Sequence, residues 1–195
     1  MAEGHAGNGL HFHFAPMKDG VPLAIKEPNG ELSETARWLI GGLVQMGGAL
    51  MAFGNRVNDS FVRLKQGKEA PNAIVWGEFD RLALIRLPVV TMDDDGCIVG
   101  SPTIEFRLPD GSVLPHLLLA GAALAMLYGR DTVGLDDLLE RTSTAFRGEP
   151  SEDPPREPRN FVEIADAIAS YRGTLELGGT FPDGLIDLIV ARLKS

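Results

Sequence analysis

Between positions 10 and 14 the chain alternates as Leu10-His11-Phe12-His13-Phe14, so a strand there turns Leu10, Phe12 and Phe14 to one face and both imidazoles to the other. Further on, Leu39, Leu43, Met46, Leu50 and Met51 recur three and four residues apart, the spacing of a helix face buried in a core. Ser33 is placed to cap the start of that helix, and Gly54-Asn55 to end it. The run from Asn58 to Gly67 is polar and irregular and reads as a loop. Ala73-Ile74-Val75-Trp76 and Leu82 to Leu87 are short runs rich in β-formers and predict two strands bracketing an acidic turn. Asp93-Asp94-Asp95-Gly96 gives a hairpin-like turn signal within Met92 to Gly100. Alternation returns in Thr103-Ile104-Glu105-Phe106-Arg107, which puts Glu105 and Arg107 on one strand face.

Pro115 followed by the apolar stretch Leu117 to Leu127 predicts a buried helix that stops at Gly129. Arg147 to Arg159 holds Pro150, Pro154, Pro155 and Pro158 among charged residues, which suits an extended, solvated connection. Beyond it, Asn160 caps a helix to Arg172, and Pro182 to Leu193 carries a second amphipathic pattern. Residues 1–146 therefore read as one body, 147–159 as a Pro-rich connection and 160–195 as a helical pair packing on that body. Strands and helices interleave without a regular βαβ rhythm and without internal repeats, so the expected class is α+β.

With 195 residues, 44% hydrophobic and 23% charged, the composition is that of a folded domain and excludes disordered or collagen-like chains. The net charge of −9, with no basic cluster, argues against nucleic acid as the main partner. A single cysteine, Cys97, cannot close an intrachain bridge, and Met1-Ala2-Glu3-Gly4-His5 lacks a basic head before an apolar core, so a cytoplasmic location is expected. Trp38 to Phe53 is the greasiest stretch, but it is interrupted by Gln45 and four glycines, and no membrane segment is expected.

The candidate chemistry lies in the alternating strands. His11 and His13 are two residues apart, which separates them by about 7 Å along a strand; either can meet a metal or a phosphate, and either can sit on a solvated face. Gly4, Gly7 and Gly9 just upstream permit close backbone approach to a ligand, or form a loose terminus. Arginines recur beside carboxylates, Arg63 with Glu69, then Arg81 and Arg86, then Glu105 with Arg107, and guanidinium suits a bidentate grip on carboxylate or phosphate. Surface ion pairs are the bland alternative, but Arg86 and Arg107 lie inside strand patterns, where they project across a sheet face. Asp93 to Asp95 lack the spacing of a calcium loop and read as a solvated turn. Cys97 reads as a spectator thiol, His5 as a terminal residue and His116 as a helix-start residue.

In this order the runs resemble the C-terminal half of the catalytic domain of glutamine synthetase. Gly7-Asn8-Gly9-Leu10-His11-Phe12-His13 is similar to that family's Gly-Ser-Gly-Met-His-x-His strand, and Leu32-Ser33-Glu34-Thr35-Ala36 with Ile40-Gly41-Gly42 to its helix start. Arg63-Leu64 with Gly67-x-Glu69-Ala70-Pro71 looks like the flap segment, and Arg81-x-Ala83-x-Ile85-Arg86-x-Pro88 like the arginine strand. Ile104-Glu105-Phe106-Arg107-x-Pro109-Asp110 and Pro115 match the last active-site strand and the helix after it. The resemblance implies a curved antiparallel sheet backed by helices. It also implies an ATP-dependent ligase that joins ammonia to L-glutamate through an acyl phosphate, in a homo-oligomer using Mg²⁺ or Mn²⁺.

Residue by residue, the resemblance implies that His11 and Glu105 hold a divalent ion and that His13 touches the nucleotide. Arg63 and Arg107, with backbone at Gly7 and Gly9, would hold the carboxylates of glutamate. Arg81 and Arg86 would neutralise the phosphoryl group, and Glu69 would close a mobile flap, Asn58 to Glu69, and take a proton from ammonium. The match is not uniform: Asn58-Asp59-Ser60-Phe61-Val62-Arg63 has one residue more than the family's usual run, Asp80 stands where asparagine is usual, and Thr103 stands where a nucleotide-contacting arginine is common. Most metal-binding glutamates of the family lie on strands upstream of the Gly-x-Gly-x-His run, so this chain is expected to carry part of an active site and to be inactive alone. Two other readings are a ligase that takes a polyamine or another amine in place of ammonia, and a non-catalytic assembly or regulatory module.

Overall fold

The computed structural model describes residues 7–66, 68–71, 73–89, 93–95, 99, 102–145 and 156–195. Cys97, His5 and most of both the Met92–Gly100 turn and the Pro-rich connection lie outside the described residues.

Helix α1, Glu34–Gly54, organises the fold. Ser33 opens it, its hydroxyl accepting from the Ala36 amide at 3.3 Å and donating to the Ala24 carbonyl at 2.6 Å. Nearly every face of α1 is buried, with Leu39, Ile40, Leu43, Met46, Leu50, Met51 and Phe53 all at 3% exposure or less. Its length and apolarity alone would let it cross a bilayer, but here it is the core helix of the fold, packed against helices and strands. Against it lies α3, Pro115–Arg130, whose approach is set by glycine. A Cβ built on Gly42 would sit 1.8 Å from the Ala125 carbonyl oxygen, and one on Gly129 2.0 Å from the Trp38 carbonyl oxygen. Such backbone-to-backbone contact admits no side chain.

A four-stranded sheet packs on the other side, in the order β1 (Phe12–Phe14), β6 (Ile104–Phe106), β5 (Ala83–Leu87), β4 (Ala73–Glu78). The β1–β6 and β6–β5 pairs are antiparallel, as expected from the sequence. β4 instead pairs with β5 in parallel, so the sheet is mixed, in contrast to the all-antiparallel one expected. Only 79–82 join these strands, with Phe79 at a φ of 60° and the Asp80 carboxylate accepting from the Leu82 amide at 2.8 Å to turn the chain. A small hairpin of β2 (Met17–Lys18) and β3 (Val21–Pro22) stands apart from the main sheet. In the main sheet, Phe12, Phe14, Ile104 and Phe106 belong to the same hydrophobic cluster as α1.

Two stretches depart from the sequence-based expectation. Residues expected to form a polar loop form α2, Asn58–Lys65. The helix is held by tertiary contacts that local pattern does not encode: Phe61 is buried edge-on against Phe161 at 4.9 Å between ring centroids, and the Arg63 side chain is buried too. A further helix, α4 (Leu135–Thr142), follows α3 and sets Leu139 into the core. Beyond the Pro-rich stretch, α5 (Phe161–Ser170) and α7 (Leu185–Lys194), with the short α6 (Arg172–Leu175) between them, share the cluster formed on α1 through Ile164, Ile168, Leu175, Phe181 and Ile186. Phe181 stacks on Phe53 at 5.3 Å, and the Tyr171 hydroxyl donates to the Gln45 carbonyl at 3.0 Å.

Replacing Gly42 by alanine forces the α1–α3 backbones apart, an overpacking that costs roughly 1–3 kcal/mol. The expected outcome is a lower urea midpoint for Gly42→Ala, against an equal or higher midpoint for Gly173→Ala, which lies in the short helix α6 and whose added Cβ meets nothing within 4 Å.

Candidate active site

The antiparallel register places the polar residues of three strands in one row. His13 lies opposite Glu105, and Glu105 opposite Arg86. Two residues along β1 and β6, on the same strand faces, come His11 and Arg107. Period-two alternation thus gathers five chemically active side chains on one side of the sheet while Phe12, Phe14, Ile104 and Phe106 join the core.

Glu105 is the centre of the row and is 1% exposed. Its Oε1 meets His11 Nδ1 at 2.8 Å and accepts from Arg107 Nη1 at 3.0 Å, with His13 Nε2 farther off at 3.7 Å. Its Oε2 accepts from Arg86 Nε. Burial alone would raise the Glu105 carboxyl, but the hydrogen bond from His11 and the charges of Arg107 and Arg86 outweigh it and hold the group at about 2. The carboxylate is therefore ionised at neutral pH. Burial pushes the Arg107 guanidinium down, against the opposing pull of Glu105, and pushes Arg63 down against Asp110. His13 Nδ1 also lies 3.0 Å from the Thr103 hydroxyl.

The remaining expected site residues surround this centre. Arg107 Nη2 donates to the carbonyls of Glu69 at 2.8 Å and Arg81 at 2.9 Å. The exposed side chains of those two residues pair with one another, Arg81 Nη1 to Glu69 Oε1 at 2.9 Å. Glu69 thus pairs with Arg81, whereas sequence proximity sets it beside Arg63. Arg63 points inward from α2, donating from Nη1 to the carbonyls of Leu108 at 2.8 Å and Pro109 at 3.2 Å and from Nη2 to that of Arg107 at 3.0 Å. Gly9 covers it, since a Cβ there would lie 2.8 Å from Arg63 Nη2 and 3.0 Å from His11 Nε2. Gly7, at a φ of 78°, is exposed just before. His116 is exposed in the first turn of α3.

Sequence reasoning misses the support beneath the row. Asn55, fully buried at the end of α1, donates from Nδ2 to the Leu108 carbonyl at 3.0 Å and to Asp110 Oδ2 at 3.1 Å. Asp110 Oδ1 accepts from the Ser112 amide and hydroxyl at 2.8 and 2.6 Å. In the sequence, an Asn after a helix-ending glycine signals only a stop, and the Pro-Asp pair only part of a motif. In Asp93 to Asp95, which read as a turn, the Asp95 amide donates to Asp93 Oδ1 at 3.1 Å.

For Mg²⁺ or Mn²⁺ the donor set is short. Such ions take about six ligands, and His11 and Glu105 supply two, with both Glu105 oxygens already engaged by His11 and the arginines. Among the described residues no group of three or more His, Cys, Asp or Glu side chains is placed to hold a metal ion. The residues present do not by themselves make that site.

Comparison with known proteins places the chain within one family. The model of a family described as "Glutamine synthetase, catalytic domain" matches residues 1–167. The glutamine synthetase of Frankia alni is 34% identical over 184 residues, covering 93% of this chain and 38% of that protein. That of Pseudomonas taetrolens is 33% identical over 196 residues, covering 98% of this chain and 40% of the relative. The chain thus spans about two fifths of the length of these relatives. A cryo-EM structure of Plasmodium falciparum glutamine synthetase shares the fold with a TM-score of 0.75 at 21% identity, over 96% of this chain and 43% of that one. A crystal structure described as a novel glutamine synthase homolog gives 0.68 at 24% identity, over 95% and 40%.

Because the Glu105 carboxyl lies lower in the folded chain than its ordinary value of 4.5, the unfolded chain binds more protons on acidification. Its contribution to stability is complete above pH 4.5 and is lost as pH falls through about 2. Urea unfolding across this range is expected to show a loss of stability on the order of 3 kcal/mol that Glu105→Gln does not share. Equal pH dependence in both proteins would contradict the ionised, buried carboxylate.

Proposed function

The chain belongs to the glutamine synthetase catalytic-domain family, and from that premise we propose that it carries the phosphate-facing part of the active site of an ATP-dependent ligase that amidates L-glutamate with ammonia. The observation that supports this most is the row His13, Glu105, Arg86, with His11 and Arg107 beside it, on one side of the sheet. Phosphoryl transfer asks little covalent chemistry of a protein. It needs a rigid array of cations around the transferring group and exclusion of water from the acyl phosphate.

In this reading Arg86, one-fifth exposed and anchored by Nε on Glu105, faces the phosphates together with His13. Arg81, whose side chain is 67% exposed, neutralises the phosphoryl group as it passes to the glutamate carboxylate. Glu69, adjacent to Arg81, takes a proton from ammonium so that neutral ammonia attacks the acyl phosphate and phosphate leaves. Gly7, Gly9, Arg63 and Arg107 form the glutamate side of the site. His11 and Glu105 contribute to a divalent-ion site that further ligands complete, and the whole enzyme is a cytoplasmic homo-oligomer. Domain organisation follows the same reading, with 1–146 as catalytic-domain sequence, 147–159 as connection and 160–195 as a helical extension.

Calorimetry on the purified chain with Mn²⁺ and a nonhydrolysable ATP analogue tests the assignment. Arg86→Ala is expected to weaken binding by roughly tenfold or more, the worth of one charge-assisted phosphate contact, and Arg192→Ala to leave it unchanged. Equal affinity in wild type and Arg86→Ala contradicts the assignment. A coupled ATP-hydrolysis assay with glutamate and ammonia is expected to give no turnover from the chain alone, and turnover above background contradicts the incomplete site.

A further inference from the structure

We propose that Thr103 is a positioning residue: its hydroxyl donates to His13 Nδ1 and so fixes that imidazole as an Nε2–H donor for an anionic oxygen such as that of a phosphate. The proposal deepens the reading above, and rests on it only for the claim that a phosphate is what His13 meets. The tautomer itself follows from the hydrogen bonding.

Thr103, Glu105 and Arg107 alternate along one strand face, and His13 lies opposite Glu105, which makes Thr103 its diagonal neighbour. The Thr103 hydroxyl lies 3.0 Å from His13 Nδ1, and the other ring nitrogen, Nε2, lies 3.7 Å from Glu105 Oε1. A neutral imidazole carries one proton, on one of these nitrogens, and a lone pair on the other. Glu105 is an acceptor, already receiving from Arg86 and Arg107. With the proton on Nδ1, Thr103 would accept it, and the Nε2 lone pair would face a carboxylate oxygen, two acceptors in repulsion. With the proton on Nε2, the Thr103 O–H fills the Nδ1 lone pair and an N–H faces the carboxylate. The second arrangement satisfies all three groups.

The two histidines of this strand therefore differ, although the alternating sequence pattern treats them alike. His11 Nδ1 is 2.8 Å from Glu105 Oε1, which places its proton there and a lone pair on Nε2; the 3.4 Å approach of Arg107 Nη1 to the same Nδ1 is the longer contact. His13 presents an N–H instead, from a side chain that is 46% exposed. At 3.7 Å from Glu105 that N–H is not consumed by a hydrogen bond, so it remains available to an incoming acceptor. Across Glu105 lies Arg86, the partly exposed cation of the same row. Thr103 has a single proton to give and gives it to His13, so its effect on a ligand passes through the imidazole.

Imidazole ¹⁵N NMR on the ligand-free 195-residue chain, at about pH 9 where histidine is neutral, reads the tautomers independently of any enzymatic activity. His13 is expected to carry its proton on Nε2, with Nδ1 bare. Thr103→Val keeps the shape and removes the hydroxyl, and is expected to let the Nδ1–H form appear; Thr103→Ser is expected to suppress it again. A protonated Nδ1 in the wild type overturns the proposal, as does a tautomer population that Thr103→Val leaves unchanged. If Thr103→Val does not fold, the wild-type ring still decides, a bare Nδ1 accepting the Thr103 proton being the supporting result. Calorimetry with Mn²⁺ and a nonhydrolysable ATP analogue then reads the consequence: binding about three- to tenfold weaker in Thr103→Val, restored in Thr103→Ser. Undiminished binding in Thr103→Val overturns the positioning role. Absence of nucleotide binding in every form, wild type included, refutes the functional reading instead, and the tautomers still support or overturn the assignment of Thr103.

Discussion

A carboxylate removed from water stays ionised only if positive charge and hydrogen bonds replace what water supplied. Glu105 meets that condition with three neighbours from three strands or their ends: His11, Arg86 and Arg107. Each neighbour is held by its own element, so the carboxylate ties β1, β5 and β6 together on the polar side as Phe12, Ile104 and Phe106 do on the apolar side. Removing the charge would leave two guanidinium groups facing each other without a counter-ion. The polar row is thus part of what defines the sheet as well as what the sheet presents.

Local and long-range forces agree elsewhere. Glycines 42 and 129 let α1 and α3 approach to backbone contact, which leaves the opposite side of α1 free to support the sheet. The end of α1 then supplies Asn55, whose bonds to Leu108 and Asp110 fix the stretch leaving β6. Arg63 binds the same stretch from α2. The segment after β6 is consequently gripped from two helices, and it is the segment that carries Arg107. A site that arrays charge benefits from such over-determination, since positional error weakens every electrostatic contribution.

Much of this is legible in the sequence because the site obeys the same periodicity as the core. Strict alternation in 10–14 and 103–107 places His11, His13, Glu105 and Arg107 on strand faces, and the three-and-four spacing of Leu39 to Met51, with Ser33 and Gly54-Asn55 as end signals, marks α1 within a residue of its ends. The chain's membership in the glutamine synthetase family, visible in five spaced motifs, agrees with the relatives and the shared fold. What escapes is whatever depends on partners distant in sequence. Nothing local announces that the polar run 58–65 is helical, because its stability comes from Phe161 and from three carbonyls some 45 residues away. The parallel β4–β5 pairing escapes for a related reason, since a four-residue link normally signals a hairpin.

The most direct measurement is a ¹³C NMR titration of the Glu105 side-chain carboxyl in the folded chain. Convergence of His11, Arg86 and Arg107 on that group predicts a midpoint near 2, well below the ordinary 4.5, with the signals of His11 responding to the same step. A midpoint at the ordinary 4.5 would mean that the carboxylate is hydrated and that the imidazole and guanidinium groups do not converge on it, contradicting the buried, ionised centre on which the sheet and its site depend.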